Sequence, residues 1–433
     1  MGKDTYLILG YGRSGKESEQ HILSQGRNVI IYDDFLSAKP QINWGKIKAV
    51  VQTPGIAPCH PIATAARDFG IPICTDINLL QKHNPSAKYI GITGTNGKST
   101  TTALIGHILK QCGLSVAVGG NIGTPALELE ELGANDWYVL ELSSYQLELS
   151  KDIKLDIAVW LNITPDHLER HITMESYVAA KERIFNQAKY ACIAVDDNYS
   201  RAVEAHLSIP HLTIASEFKN CPANLWVDAS GMLHVNGQLF DLNELSTLKG
   251  VHNLQNVALA FSATLQIIGD SAKIWQSIQS FPGLPHRQQL VAKNLSIEFI
   301  NDSKATNADA CEKALKTFID KKIFWIVGGK AKTDGIESLQ PYFPHIKKAY
   351  LIGDSKDRFA KDLCGKLDFE KVVTLDAAVS CAYNDAKFEK NAVVLLSPAC
   401  ASFDQFKDFE HRGNEFIKFV KELLHDSNYI FTT

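Results

Sequence analysis

No apolar run in these 433 residues approaches the ~18–20 needed to span a bilayer. No signal peptide is recognisable, because a strand pattern begins at once, from Tyr6 to Leu9. The 9 Cys include no CxxC pair, and an odd set of scattered thiols suits a reducing compartment rather than a disulfide framework. The expectation is a cytoplasmic protein in which most cysteines are small buried apolar residues. Basic residues form no block interleaved with aromatics, and the net charge is −4. Neither nucleic acid nor an anionic membrane is therefore expected as a partner. Fixed-period repeats and low-complexity segments are also missing.

What is present is a repeated rhythm of short apolar run, Gly-rich or polar turn, and helical stretch. That rhythm predicts an α/β fold with parallel sheets. The length calls for more than one core. A polar stretch at 81–88 (QKHNPSAK) and a Pro/Gly-rich one at 280–287 (SFPGLPHR) suggest three domains, 1–85, 86–283 and 284–433. Strands are expected at 5–9, 28–32 and 48–51, then at 89–92, 137–141, 156–161 and 191–195. The last set is expected at 296–300, 323–327, 348–352, 371–375 and 391–396. Helices are expected over 16–25 and 99–110.

The sharpest signal is GITGTNGKSTTTAL, residues 91–104. It follows an apolar strand and opens a helix, as a phosphate loop requires. Gly94 and Gly97 let the backbone curl around an anion, and the helix start near Lys98 aims its positive end there. Lys98 can neutralise phosphate charge, and the Ser99 hydroxyl can hold Mg2+. The strict Walker spacing would need glycine at 92, where Ile92 stands.

Ligands of open parallel sheets bind beyond the carboxyl ends of the strands. Glu141 lies at one such end, in WYVLELSSYQL, and His167 just past the next, in WLNITPDHLERH. A carboxylate suits Mg2+; a histidine is a less usual ligand for it. Lys181, in YVAAKERIF, would by itself be read as a solvated helix lysine. Near the N-terminus, GYGRSG with Asp33 placed 23 residues after Gly10 satisfies a dinucleotide fingerprint. Alone that would suggest a nicotinamide-dependent oxidoreductase, but such an enzyme does not need the loop at 91–104.

Together these segments resemble the Mur ligase family. The resemblance rests on GTNGKST, GGNIG, ELSSYQLE, LNITPDHLERH, AAKERIF, VHNLQNVALA, LPHR, NDSKATN and SPACASFDQF, in the family's order and spacing. It spans nearly the whole chain. It implies three domains: an N-terminal Rossmann-like one for a UDP substrate, a central phosphate-loop ATPase-type sheet, and a C-terminal Rossmann-like one for the incoming amino acid. The implied reaction is ATP-dependent: a substrate carboxylate is phosphorylated, an amine attacks the acyl phosphate, and an amide forms. GYGRSG, the length, ELSSYQ and SPACASFDQF look most like members that add D-glutamate to UDP-N-acetylmuramoyl-L-alanine in peptidoglycan precursor synthesis.

The site residues follow from the same resemblance. ATP would be held by Gly94, Thr95, Asn96, Gly97, Lys98, Ser99 and Thr100, with Asn253 and Asn256 on the adenine side. Arg287 and Asp302 would take the terminal phosphate and the ribose, completed by domain closure. One Mg2+ would rest on Ser99 and Glu141, and a second near His167 and a carbamylated Lys181. Lys98, His167 and Lys181 are the expected catalytic groups. The UDP substrate would meet Arg13, Ser14, Asp33, Phe35, Thr53, Asn121 and His167. DDFL at 33–36 lacks the basic residue common at that place, although Phe35 could stack on the base. D-Glutamate would meet Thr306, Lys332, Ser402 and Phe409, with Lys330 able to replace Lys332. A monomer acting on small molecules is expected.

Three rivals stand beside this reading: a related ligase adding another amino acid or extending a folate, the oxidoreductase, and an ATP-gated binding protein without catalysis. The last predicts that losing Glu141 or His167 leaves nucleotide-dependent partner binding intact and that no amide forms; for a ligase, the telling variant is Lys181→Ala. It is expected to abolish amide formation, with bicarbonate giving no rescue; undiminished turnover would remove Lys181 from the chemistry.

Overall fold

The computed structural model describes residues 4–150, 152–216, 223–245, 247–248, 250–330, 335–425 and 429–431. The chain forms two compact units, Met1–Phe281 and Pro282–Thr433. The first carries two sheets, and the expected division near 85 falls between their segments, ahead of the strand Lys88–Thr93.

The N-terminal sheet has four parallel strands in the order Asn28–Tyr32, Thr5–Leu9, Ile47–Gln52, Ile73–Cys74. Its glycine turn leads into helix Arg13–Ser24, which starts three residues earlier than the sequence pattern suggests. Gly12 caps it without a side chain, and no acid stands in its first turn. The amide end is thus left open to an anion.

The second sheet has nine strands. Lys88–Thr93 lies between Leu155–Trp160 and Trp137–Glu141, all parallel. Val116–Gly120 closes one edge, and Ala188–Ala194 and His211–Ala215 extend the other. An antiparallel hairpin, Met232–Val235 and Gln238–Asp241, ends that side. The middle strands are apolar without alternation because helices cover both faces. Helix Lys98–Gln111 buries Leu104, Ile105, Ile108 and Leu109 beside Val257, Phe261 and Ala263 of helix Val251–Ile268.

The C-terminal unit has a seven-stranded sheet. Phe369–Lys371, Ile346–Ile352, Lys322–Gly328, Ala392–Leu396 and Ile297–Asn301 run parallel; Gln289–Lys293 and Ile430–Phe431 are antiparallel. The strand expected at 371–375 ends instead at Lys371, and helix Leu375–Ala386 begins where it was to finish. Thr374 in extended backbone starts that helix, so the β-branched run is spent on a helix entry.

The cysteines depart from expectation. All eight among the described residues are free thiols, but only Cys192, Cys311 and Cys400 are fully buried. No helix among the described residues is long and apolar enough to cross a membrane.

Leu140 is fully buried in the strand that carries Glu141 at its end. Leu140→Ala should destabilise the first unit by ~2–5 kcal/mol, read from its urea midpoint. A loss below ~1 kcal/mol would show that the packing around it is not tight.

Candidate nucleotide and metal site at the carboxyl ends of the central strands

The phosphate loop leaves the buried strand Lys88–Thr93 and enters helix Lys98–Gln111 through two glycines that no other residue could replace without strain. Gly94 has φ +150° and Gly97 φ +87°. A Cβ on Gly97 would sit 2.0 Å from Asn256 Oδ1, and one on Gly94 2.8 Å from Leu161 Cβ. The positive φ values curl the loop, and the tight neighbours fix where it curls.

The cradle is less open than the sequence suggests. The Thr95 N–H donates to the Asn162 carbonyl at 2.7 Å, and the Asn96 N–H to Asn162 Oδ1 at 2.9 Å. These two amides hold the loop. An anion in this cradle would have to be met at the helix start, from Gly97 onward, beside Ser99 and the buried Thr100. Thr95 Oγ1 meets the hydroxyl of fully buried Tyr177 at 3.1 Å.

Two lysines converge on one carbonyl. Lys98 Nζ donates to Gly94 O at 2.9 Å and to Thr95 O at 2.9 Å. Lys181 Nζ donates to the same Gly94 O at 2.7 Å and lies 4.8 Å from the Tyr177 ring centre. Lys181 is almost completely buried. Burial first, and the Lys98 charge second, push its pKa well below the usual lysine value. The sequence-alone picture of a solvated lysine is therefore overturned.

Glu141 is also buried, at the end of its strand. Asn121 Nδ2 donates to its Oε1 at 2.9 Å, while Oε2 is buried without a hydrogen-bond partner among the described residues. An orphaned carboxylate oxygen of this kind suits a hard cation. No group of three His, Cys, Asp or Glu side chains that could hold a metal occurs among the described residues. A cation here would therefore rely on Glu141, a hydroxyl such as that of Ser99, and ligand oxygens. His167 stands in left-handed backbone, φ 53°. Its Nδ1 lies 3.2 Å from the Tyr145 hydroxyl and 3.3 Å from Glu169 Oε1, and its Nε2 lies 3.4 Å from Asp166 Oδ2. Asn256 Nδ2 donates to Asn253 Oδ1, and Asn256 Oδ1 accepts from Thr101, so this pair braces the start of the loop helix.

In the N-terminal sheet, Asp33 accepts from the Tyr11 and Phe35 amides at 2.6 and 2.9 Å. Those two bonds, the Phe35 one foremost, hold its carboxyl below the usual range. Asp33 therefore ties the glycine turn to the second strand. Phe35 is 98% exposed, so its ring is free to meet a planar group. The Thr53 N–H and hydroxyl donate to Leu9 O beside that turn. Arg13 lies at the helix start with Ser14 and pairs with Glu17 and Glu128. Arg170, missed in the sequence, joins Ile56 O to Glu148, at 3.1 and 3.0 Å.

In the C-terminal unit, Asp302 is buried and accepts from Ser397 Oγ at 2.8 Å and the Gln288 N–H at 3.1 Å. Arg287 lies close enough to lower its pKa, yet burial wins and pushes it up to about 7. Ser402 is buried, Thr306 closes a turn onto Lys304 O, and Lys304 Nζ lies 4.9 Å from the Phe409 ring centre. Buried Arg412 donates to Ser303 and to Cys400 O, joining the NDSKATN and SPACASFDQF segments. Lys304 and Arg412 were missed because neither has a diagnostic spacing. Lys332 lies outside the described residues. Lys330 is described, and its N–H donates to Ala401 O at 2.9 Å.

Comparison with known proteins decides the family. Residues 92–264 match the Mur ligase middle domain, and residues 286–400 the Mur ligase glutamate ligase domain. The chain belongs to the Mur ligase family. This Mur ligase is 42% identical over 439 residues to a UDP-N-acetylmuramoylalanine–D-glutamate ligase of Paramagnetospirillum magneticum, covering 96% of each chain. It is 40% identical to the similarly named protein of Rickettsia felis, again over 96% of each. Among solved structures, it shares its fold with UDP-N-acetylmuramate-alanine ligase MurC from Thermotoga maritima (TM-score 0.63, 19% identity, 97% of this chain and 99% of that one). MurF ligase from Thermotoga maritima, solved in complex with ADP, has the same fold (TM-score 0.62, 17% identity, 98% and 96%).

The raised pKa of Asp302 has a consequence for stability. The folded state holds the proton more tightly than the unfolded one, so stability is full below about pH 4 and is lost as pH rises through about 7. Asp302→Asn should therefore raise the thermal midpoint of the C-terminal unit more at pH 8 than at pH 5. Equal shifts at both pH values would contradict this.

Proposed function

We propose that this Mur ligase joins D-glutamate to UDP-N-acetylmuramoyl-L-alanine, with ATP consumed through an acyl phosphate, in peptidoglycan precursor synthesis. The observation that carries the reading is the grouping around Gly94. A phosphate loop, two lysines on one carbonyl and, at a neighbouring strand end, a buried carboxylate with an unused oxygen suit phosphoryl transfer by positioning and charge. The substrate pair is supported by relatives of that name at about 40% identity over nearly the full chain.

Lys98 would leave the loop carbonyls and turn to phosphate oxygens. Ser99 and Glu141 would hold one Mg2+, and His167 with Lys181 would serve a second. Mg2+, when bound, draws charge from the transferring phosphoryl group. The fit at Glu141 rests on its unpartnered Oε2. Lys181 fits carbamylation because burial and the Lys98 charge disfavour its ammonium form, and the neutral amine is the form that adds to CO2. The carbamate carries a negative charge, so repulsion with Lys98 becomes attraction.

Asn253 and Asn256 would bound the adenine side, and Arg287 and Asp302 would serve the terminal phosphate and ribose. The open helix start at Arg13 and Ser14, with Thr53, Asp33, exposed Phe35 and Asn121, would receive the UDP substrate. Thr306, Ser402 and Phe409 would hold D-glutamate, and Lys304 and Arg412 lie beside them as cations for its carboxylates. Lys332 or Lys330 would add a further cation. Dependence on ATP suits a cytoplasmic enzyme, and we read it as a monomer.

The test is incubation with ATP, Mg2+, UDP-N-acetylmuramoyl-L-alanine and each glutamate enantiomer, followed by mass spectrometry. Only D-glutamate should give the glutamyl amide together with ADP and phosphate, and Glu141→Gln should cut turnover by at least ~100-fold. A product with L-glutamate alone, or none with either, would overturn the proposal.

A further inference from the structure

Three polar side chains outside the proposed chemistry hold the phosphate loop in place. Asn162 follows the strand Leu155–Trp160, and Asp196 follows the strand Ala188–Ala194. Gln255 is buried on helix Val251–Ile268, between Asn253 and Asn256. Asn162 Oδ1 accepts from the Asn96 N–H at 2.9 Å. Its Nδ2 donates to Asn96 O at 3.2 Å and to Gln255 Oε1 at 2.7 Å. Gln255 Nε2 donates to Asp196 Oδ2 at 2.6 Å. Asp196 also accepts from the Ser216 N–H and hydroxyl at 2.8 and 2.9 Å. Arg201 Nη1 donates to its main-chain oxygen at 3.1 Å.

The polarity of this chain has one source. A primary amide can face a neighbour with either end, but an ionised carboxylate only accepts. Asp196 therefore draws the Gln255 NH2 toward itself and leaves Oε1 toward Asn162. That in turn draws the Asn162 NH2 and leaves Oδ1 toward the Asn96 N–H. Reversing Gln255 would set NH2 against NH2, and reversing Asn162 would set its NH2 against the loop N–H. Each reversal leaves a buried or half-buried donor unmet, which costs ~1–3 kcal/mol.

We infer that Asp196 and Gln255 are positioning residues: through Asn162 they orient the phosphate loop and couple it to the helix bearing Asn253 and Asn256. The inference rests on the nucleotide-binding part of the proposed function and not on its sugar or amino acid substrates.

The test is the affinity of the full chain for a fluorescent ATP analogue with Mg2+ at pH 8. Gln255→Glu sets two carboxylates face to face and should weaken binding by ~10-fold or more. Asp196→Asn frees the amide chain to reverse and should also weaken it. The double variant Asp196→Asn with Gln255→Glu restores the order: the amide introduced at 196 donates to the carboxylate introduced at 255, which still accepts from Asn162. It should recover to within ~3-fold of the parent. Both substitutions are near-isosteric, so a packing role alone predicts similar affinities for the parent and all three variants. Unchanged binding in either single variant, or a double variant as weak as the singles, overturns the inference. Should Gln255→Glu not fold, Asp196→Asn against the double variant reads the same rescue. Failure of ligation with any amino acid would sink the proposed reaction while leaving this binding result to stand.

Discussion

Two lysine side chains reach for the same oxygen, the carbonyl of Gly94, at 2.9 and 2.7 Å. Only one of them can comfortably carry a full charge there. Lys98 opens the loop helix and keeps contact with solvent, whereas Lys181 is buried and its charged form is disfavoured. The chemistry proposed for the site depends on this asymmetry, because it makes one lysine a cation for phosphate and the other an amine that can be modified. It also depends on Gly94 pointing its carbonyl inward, which its φ of +150° allows.

That geometry is inherited from the sheet. The strand before the loop is paired on both sides, and its neighbours end at Glu141 and Trp160 in register with it. Parallel pairing brings several strand ends to one edge, so the loop, the carboxylate and the turn leading to His167 share a rim. The rim is stiffened by side-chain hydrogen bonds from Asn162 under the loop, Tyr177 beside Thr95, and Asn256 under the helix start. In the C-terminal unit the same principle places Asp302 at the end of Ile297–Asn301, next to Ser397 at the end of Ala392–Leu396.

Much of this was legible in the residue order. Unbroken apolar runs mark parallel strands covered on both faces, and GKST after such a run marks the phosphate loop. Glu141 and His167 could be placed at strand ends by counting. Other features were hidden, each for a physical reason. Asn162 meets Asn96 across 66 positions and Gln255 across 93, and no local pattern announces such pairs. Asp33 was legible as the acid of a dinucleotide fingerprint, but not that both its oxygens accept from the Tyr11 and Phe35 amides. The stretch at 371–375 is β-branched from Val372 to Thr374, yet its end serves as the entry to a helix. The cysteines were judged by their average chemistry, and burial here follows position rather than residue type.

The sequence by itself determined which elements form, where the anion loop lies and which side chains are chemically able to serve it, since those depend on neighbours a few residues apart. Family membership was legible for the same reason, as a series of local segments in order. Only the tertiary structure decided the burial that disfavours the Lys181 charge, the unmet oxygen of Glu141 and the two loop amides already in use. These depend on burial and on partners brought together from distant parts of the chain, and desolvation is a property of the packed interior that no single segment possesses.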